Sequence, residues 1–161
     1  MNRSALIVTC AAGVLVACAG YAPPPDMKVG SSEAEVITAM GPPTGRYQLP
    51  EGPLRLEFAR GPYGRHTYMV DFEQGRMTQW NQVLDRRYFE AVSPGLTRDQ
   101  LLRFIGHPSE VVGMMRSGQI WSYRYYNNDC LWWQAQLDAQ GVVTAAGYAP
   151  LPGCDGPTMW R

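Results

Sequence analysis

The sequence predicts an α+β fold built from two tandem repeats. In each repeat a short helix precedes three or four antiparallel strands, and the helices pack on one face of an antiparallel sheet. Three observations support this prediction. Two helix-sized segments with the same boundary residues lie 65 residues apart, the apolar period changes to two after each of them, and tight-turn residues join the alternating stretches.

Composition limits the class of protein. The 161 residues are 45% hydrophobic and 17% charged, which is typical of a globular chain and not of a disordered one. The formal net charge is zero, so there is no electrostatic reason to expect nucleic-acid binding.

Residues 1–17 have the features of an export signal. Arg3 gives a positively charged start, and the apolar run at 5–16 is too short to span a bilayer as a helix. The segment Leu15-Val16-Ala17-Cys18 resembles the lipobox of bacterial lipoproteins. This resemblance implies cleavage between Ala17 and Cys18 and attachment of lipid to Cys18. The alternative is an ordinary secretory signal with a chance cysteine.

The segment 18–28 is predicted to tether the folded part to the membrane. Several acyl chains on Cys18 would give a durable anchor. Ala19 resembles the residue of lipoproteins that are sorted to the outer membrane, where the chain would face the periplasm. Three consecutive prolines, Pro23 to Pro25, favour a semi-rigid extended conformation.

Residues typical of helix N-termini and C-termini mark both ends of each predicted repeat helix. Two pairs fit the capping box, in which a hydroxyl and a side chain one turn later satisfy free backbone N–H groups. These pairs are Ser32 with Glu35 and Thr97 with Gln100. Gly41 and Gly106 predict the helix ends, together with the prolines one and two residues beyond them, Pro42 and Pro108. Repeat 1 then covers 29–84, repeat 2 covers 85–155, and 156–161 form a tail.

The strands follow from alternation between apolar and polar residues. They are expected near 54–59, 68–72 and 77–83 in repeat 1, and near 111–115, 120–126, 131–137 and 142–148 in repeat 2. Tight turns at 61–64 and 74–75 require antiparallel pairing. Residues 85–92 predict a short helix. Because one repeat would bury too little apolar surface alone, we expect the two repeats to share one core.

Two cysteines remain in the mature chain. Cys130 and Cys154 are predicted to form a disulfide in an oxidising periplasm, and the alternative is two unpaired thiols. We predict no metal site, because there is no Cys-x-x-Cys motif and only two histidines. No cofactor motif is present either.

Four segments of repeat 2 resemble the SmpA/OmlA (BamE-like) family of outer-membrane lipoproteins. They are Pro94-Gly95-Leu96-Thr97, Ile105-Gly106-His107-Pro108, Ile120-Trp121-Ser122-Tyr123 and Leu137-Asp138-Ala139-Gln140-Gly141-Val142. The resemblance implies a non-enzymatic scaffold or binding protein in outer-membrane protein assembly or envelope maintenance. Two tandem units, where that family has one, resemble the β-lactamase inhibitory protein fold. The alternative function is therefore inhibition of a periplasmic enzyme.

An aromatic cluster is the predicted partner-binding surface. Its members are Trp121, Tyr123, Tyr125, Trp132 and Trp133. Neighbouring strand residues point to opposite faces, so one of the two adjacent tryptophans is expected to face away from the helices. A core position is the alternative, and we favour it for Trp121 and Tyr123.

We predict no catalytic residue and no small-molecule substrate. No serine stands in a nucleophile motif. His66 and His107 are interpreted as structural, and Glu57 and Asp71 as strand carboxylates that face each other across a hairpin. The expected partners are an envelope protein and, through the lipid, the membrane.

Overall fold

The computed structural model describes residues 27–50, 52–60, 65–115 and 117–153. The predicted signal, its cleavage site at Ala17 and Cys18, the turn at 61–64, Cys154 and the tail at 156–161 lie outside the described residues. Within the described ranges, no helix is long and apolar enough to cross a membrane.

The described chain forms two four-stranded antiparallel sheets and three short helices, so the α+β class with antiparallel strands is confirmed. The first half, residues 29–84, contains α1 (Glu33–Met40), β1 (Gly45–Gln48), β2 (Leu54–Arg60), β3 (His66–Glu73) and β4 (Arg76–Gln82). Its strands lie in the order β1-β2-β3-β4. Each strand pairs with the next along the chain, as expected where tight turns join neighbours.

The second half, residues 85–153, has an additional helix but the same sheet order. It contains α2 (Arg86–Glu90), α3 (Arg98–Ile105), β5 (Glu110–Gly113), β6 (Gln119–Tyr123), β7 (Leu131–Leu137) and β8 (Val143–Pro150). The strands lie in the order β5-β6-β7-β8. Strands β1, β4, β5 and β8 are therefore the sheet edges.

Both capping boxes form as predicted. Ser32 accepts from the Glu35 N–H while the Glu35 side chain accepts from the Ser32 N–H, and Thr97 and Gln100 make the same pair of bonds. Asp85 caps α2 by accepting from the N–H groups of Arg87 and Tyr88. The four-residue strand β1, Gly45-Arg46-Tyr47-Gln48, was not predicted.

Hydrogen bonds outside the helices and strands recur at matching positions in the two halves. The Gly30 N–H donates to the Met77 carbonyl over 2.8 Å, and the Gly95 N–H donates to the Val143 carbonyl over 2.8 Å. The Thr44 hydroxyl accepts from the Ala59 N–H, and the Ser109 hydroxyl accepts from the Arg124 N–H. A β-bulge follows Asp71 in β3 and Gln136 in β7.

We call the face of each sheet that its own preceding helix covers the front face, and the opposite one the reverse face. On the first front face, α1 places Val36 and Met40 against one apolar cluster of buried side chains. The strand members of that cluster are Leu56, Phe58, Tyr68, Val70, Phe72 and Met77. On the second front face, α3 places Leu101 and Ile105 against a second, larger cluster.

The expectation of one shared core was wrong, because the buried apolar side chains of the described residues form two clusters. The second cluster includes Met69, which lies on the reverse face of the first sheet, together with Trp121 and Leu137 of the second sheet. The helices α2 and α3 therefore lie between the two sheets. The first sheet is covered on both faces, and its own strands separate the two apolar clusters.

Candidate functional site

The predicted aromatic binding surface is not exposed. Trp121, Tyr123, Tyr125, Trp132 and Trp133 are all buried. Four of them belong to the larger apolar cluster, where the Trp133 ring stacks on Phe89 with centroids 4.8 Å apart. The core alternative is thus the correct one for Trp121 and Tyr123, and also for Tyr125 and Trp133. The rings of Tyr123, Tyr125 and Trp133 pack in the core because α2 places Phe89 between the sheets, where it contacts them.

Trp132 is the tryptophan that lies on the reverse face of the second sheet. It stands opposite Ala149 of β8, and its neighbour Trp133 points into the core. Trp132 is only 7% exposed. Among the described residues, its indole N–H is one of the buried donors without a hydrogen-bond partner. An unmet donor of this kind is costly unless an acceptor reaches it.

No described helix covers the reverse face of the second sheet, and Glu110, at the β5 edge, is the one charged residue among its described strand residues. Its strand residues are Glu110, Val112, Ile120, Ser122, Trp132, Gln134, Gln136, Ala145, Gly147 and Ala149. None of them belongs to either apolar cluster of the described residues. Along β8 the face is open, since Gln136, Ala145 and Gly147 are exposed. A shallow cleft of about 300 Å³ follows β7 and β8 there.

The reverse face of the first sheet is polar and holds the second half. Glu57 of β2 is completely buried, and its carboxylate accepts from the Tyr47 hydroxyl over 2.6 Å. It also accepts from the backbone N–H of His107 over 3.0 Å and lies 2.8 Å from the His107 Nδ1. Several hydrogen-bond donors offset the cost of burying a carboxyl group. Glu57 therefore connects the first sheet to the residue just after α3.

Neighbouring glycines leave room for this carboxylate. A Cβ atom at Gly106, which ends α3, would lie 2.9 Å from the Glu57 Cδ, and one at Gly45 would lie 2.6 Å from its Oε2. The same surroundings suppress ionisation of nearby phenols. Burial, followed by the hydrogen bond to Glu57, raises the pKa of Tyr47 well above its usual range. Burial, followed by the Glu57 charge, raises the pKa of Tyr123.

A second polar contact joins the halves beside the first. The Arg55 guanidinium makes two hydrogen bonds to Asp71, of 2.6 and 2.7 Å, and donates a third to the carbonyl of Arg103 in α3. A cation near the C-terminal carbonyls of a helix is favourable. Burial opposes ionisation of Asp71, but hydrogen bonds from Arg55 and Gln79 outweigh it, so the pKa of Asp71 lies below its ordinary value.

The predicted pairing of Glu57 with Asp71 across a hairpin was wrong. In the β2–β3 register Glu57 stands opposite Met69, and Asp71 stands opposite Arg55. The sequence also gave no indication of the bond between Glu57 and His107, since 50 residues separate them. Tyr47 was missed because β1 itself was missed. Arg55 and Glu57 are two residues apart on a predicted strand and therefore share one face of it. This spacing was the sequence feature that could have indicated a polar sheet face.

A cleft of about 340 Å³ opens beside Glu57, between the two halves. Its lining includes Thr44, His107, Ser109 and Arg124. The His107 side chain is 52% exposed, so the Glu57 carboxylate holds one imidazole nitrogen while the ring edge meets solvent. The Ser109 hydroxyl already accepts from a backbone N–H, as Thr44 does in the first half. The arrangement is thus suited to joining the halves, and it provides no paired nucleophile and base.

The structure describes some of the remaining predicted site residues. Cys130 is disulfide-bonded, and its predicted partner Cys154 lies outside the described residues. In the described ranges, no group of three or more His, Cys, Asp or Glu side chains is arranged to hold a metal ion. His66 begins β3, and its ring stacks on Tyr126 with centroids 6.3 Å apart.

Comparison with known proteins gave no relative. No protein-family model, no curated protein sequence and no solved structure matches this chain.

Proposed function

We propose that this chain is a lipid-anchored, non-enzymatic protein of the bacterial outer membrane that holds an envelope protein on the reverse face of its second sheet. One observation carries the proposal. The reverse face of the first sheet contacts α3 and the residue after it, whereas the reverse face of the second sheet has no described helix on it. The β8 side of that face is open, since Gln136, Ala145 and Gly147 are exposed, whereas Ser122 and Trp132 on the same face are buried.

The proposal includes two tandem repeats, each with its helix on one face of its own sheet. It is supported by the matching capping boxes, bulges and backbone hydrogen bonds of the two halves. In such a stack, each unit supplies a reverse face to the next unit's helix. No described helix occupies the reverse face of the second repeat, which leaves its β8 side available to another protein.

The expected occupant is an amphipathic helix with an uncharged contact face. Three residues on the first reverse face make polar contacts, either to the second half or to one another: Arg55, Glu57 and Asp71. The residues 65 positions later are Ile120, Ser122 and Gln136. A charged helix would find no ionic partner among these side chains and would lose hydration on docking.

Lipid on Cys18 would hold this surface at the periplasmic side of the outer membrane, where docking would serve envelope assembly or maintenance. The test of the anchor is Cys18→Ser in the full chain. The variant is expected to leave the membrane fraction for the soluble periplasmic fraction, as measured by fractionation and immunoblotting. Unchanged retention in the membrane would overturn the anchoring proposal.

The test of docking is photo-crosslinking in living cells. A photoreactive residue at Gln136 on the reverse face is expected to capture one defined outer-membrane protein, identified by mass spectrometry. The matched control places the same residue at Thr38, which is exposed on α1. Equal capture at both positions, or capture at neither, would contradict docking on the reverse face.

A further inference from the structure

Strand β8 leaves one edge of the second sheet open. Its first residue, Val143, exchanges backbone hydrogen bonds with Gly95 and Leu96 on that side. Beyond the bulge, β7 pairs with one side of residues 145–149, no described element pairs with their other side, and residues 144–147 are exposed. An exposed edge presents unpaired N–H and C=O groups, which another strand can extend.

β8 differs from the other three edge strands in charge and length. The others each carry a charged residue, namely Arg46 in β1, Arg76 in β4 and Glu110 in β5. β8 carries none over eight residues, whereas β1 and β5 are only four residues long. Charged side chains on an edge normally prevent sheets from joining. This protection is missing from β8 alone among the edges.

The composition of β8 fits pairing with itself. Two antiparallel copies of one strand are related by a two-fold axis, so each residue meets the same set of neighbours in both copies. Because β8 has no charge, self-pairing brings no like charges together. The exposed residues near its middle are Ala145, Ala146 and Gly147, whose small side chains leave the approaching backbone unobstructed.

We infer that two copies of this chain associate by antiparallel pairing of β8 with β8, which joins their second sheets into one continuous sheet of eight strands. The dimer would place the reverse faces of both copies side by side. The interface is narrow, so self-association is reversible and depends on concentration. Its test does not require the partner of the proposed function.

The experiment uses charge reversal at a position that accepts a side chain. Gly147 has no atom within 4 Å of a Cβ and does not need a positive φ. The full chain, purified in density-matched detergent, is studied by sedimentation velocity over a range of concentrations. Wild type is expected to form dimers. Gly147→Lys and Gly147→Glu alone are expected to weaken self-association by roughly tenfold or more, because like charges then face each other. An equimolar mixture of the two variants restores it.

The matched control lies on the opposite edge of the same sheet. Gly113 in β5 also has an open Cβ position and an ordinary φ. Gly113→Lys and Gly113→Glu are expected to dimerise as wild type does, and circular dichroism checks the fold of every variant. A monomeric wild type, Gly147 variants that still dimerise separately, a mixture that stays monomeric, or loss of the dimer in the Gly113 variants would each overturn the inference. Capture at Gln136 bears only on partner docking, so the two proposals fail separately.

Discussion

Position 71 in the first sheet and position 136 in the second occupy the same place, one residue before a β-bulge. The first is a buried aspartate bound to Arg55, and the second is an exposed glutamine. Their surroundings differ because α3 passes beside the first reverse face and no described helix passes the second. We conclude that the residue type at this position depends on whether a neighbouring helix packs over it, and not on the alternation pattern of the strand.

The same comparison explains why three residues of the first reverse face are charged while their counterparts in the second half are neutral. A charge under a neighbouring element needs hydrogen-bond partners, and Arg55, Asp71 and Glu57 supply them mutually or find them near the end of α3. Under the proposed function, the second reverse face would dock a separate protein, and no neighbouring helix of the described chain supplies partners for charges at these positions. The two reverse faces thus share one strand order, but α3 approaches only the first of them.

The largest expected effect comes from removing the charge under the first reverse face. Asp71→Ala leaves the Arg55 guanidinium without its carboxylate partner, and loss of one member of a buried ion pair costs about 3–5 kcal/mol. The Asp71 side chain is 6% exposed, so water replaces little of the lost contact. Urea unfolding of the variant and of wild type measures the difference in unfolding free energy.

The matched control is Gln136→Ala, at the same position of the exposed reverse face. It is expected to change the free energy of unfolding by less than about 0.5 kcal/mol. The Asp71 effect should also depend on pH in one direction. Because the pKa of Asp71 is lowered by folding, its stabilising contribution is present above about pH 4 and is lost as the pH falls further. Equal costs at the two positions would refute the comparison.

The second expected effect isolates the contact between the halves at Glu57. Gly41 and Gly106 both end a helix with positive φ, at 77° and 82°. Alanine at either position is strained by about 1–3 kcal/mol. A Cβ at Gly41 would meet nothing within 4 Å, whereas one at Gly106 would contact Glu57 and Thr67. Gly106→Ala is therefore expected to cost about 1–3 kcal/mol more than Gly41→Ala.

Thermal or urea unfolding of both glycine variants checks this difference. A double variant tells whether Glu57 is its source, since Glu57→Ala should remove most of the excess cost at Gly106 and none of the cost at Gly41. If the two single variants have the same free energy of unfolding, the close contact between Gly106 and Glu57 does not limit the size of the residue that ends α3, and the prediction is wrong.

Local sequence signals predicted the features that the two halves share. Capping boxes, terminal glycines and period-two strands depend on neighbours within a few residues, so they can be read from the chain directly. The differences between the halves depend on contacts across 48 to 50 residues, such as Arg55 with Arg103 and Glu57 with His107. Trp121 and Tyr123 were favoured as core residues from the sequence, and both are buried. Burial of Tyr125 and Trp133 was missed, because nothing local indicates that Phe89 meets their rings.

The smallest expected difference is between the two N-caps. Ser32→Ala and Thr97→Ala each remove a hydroxyl that accepts from an N–H three residues later, over 3.3 Å in both helices. Each substitution is expected to lower the free energy of unfolding by about 1 kcal/mol. The two costs should agree within about 0.5 kcal/mol, because both caps are exposed and the additional bond that the Ser32 hydroxyl donates to the Glu35 carboxylate is exposed as well. Chemical denaturation measures both. A clearly larger loss at Thr97 would mean that contacts with the first sheet also stabilise the start of α3. The N-caps could then not be counted among the features that depend on local sequence alone.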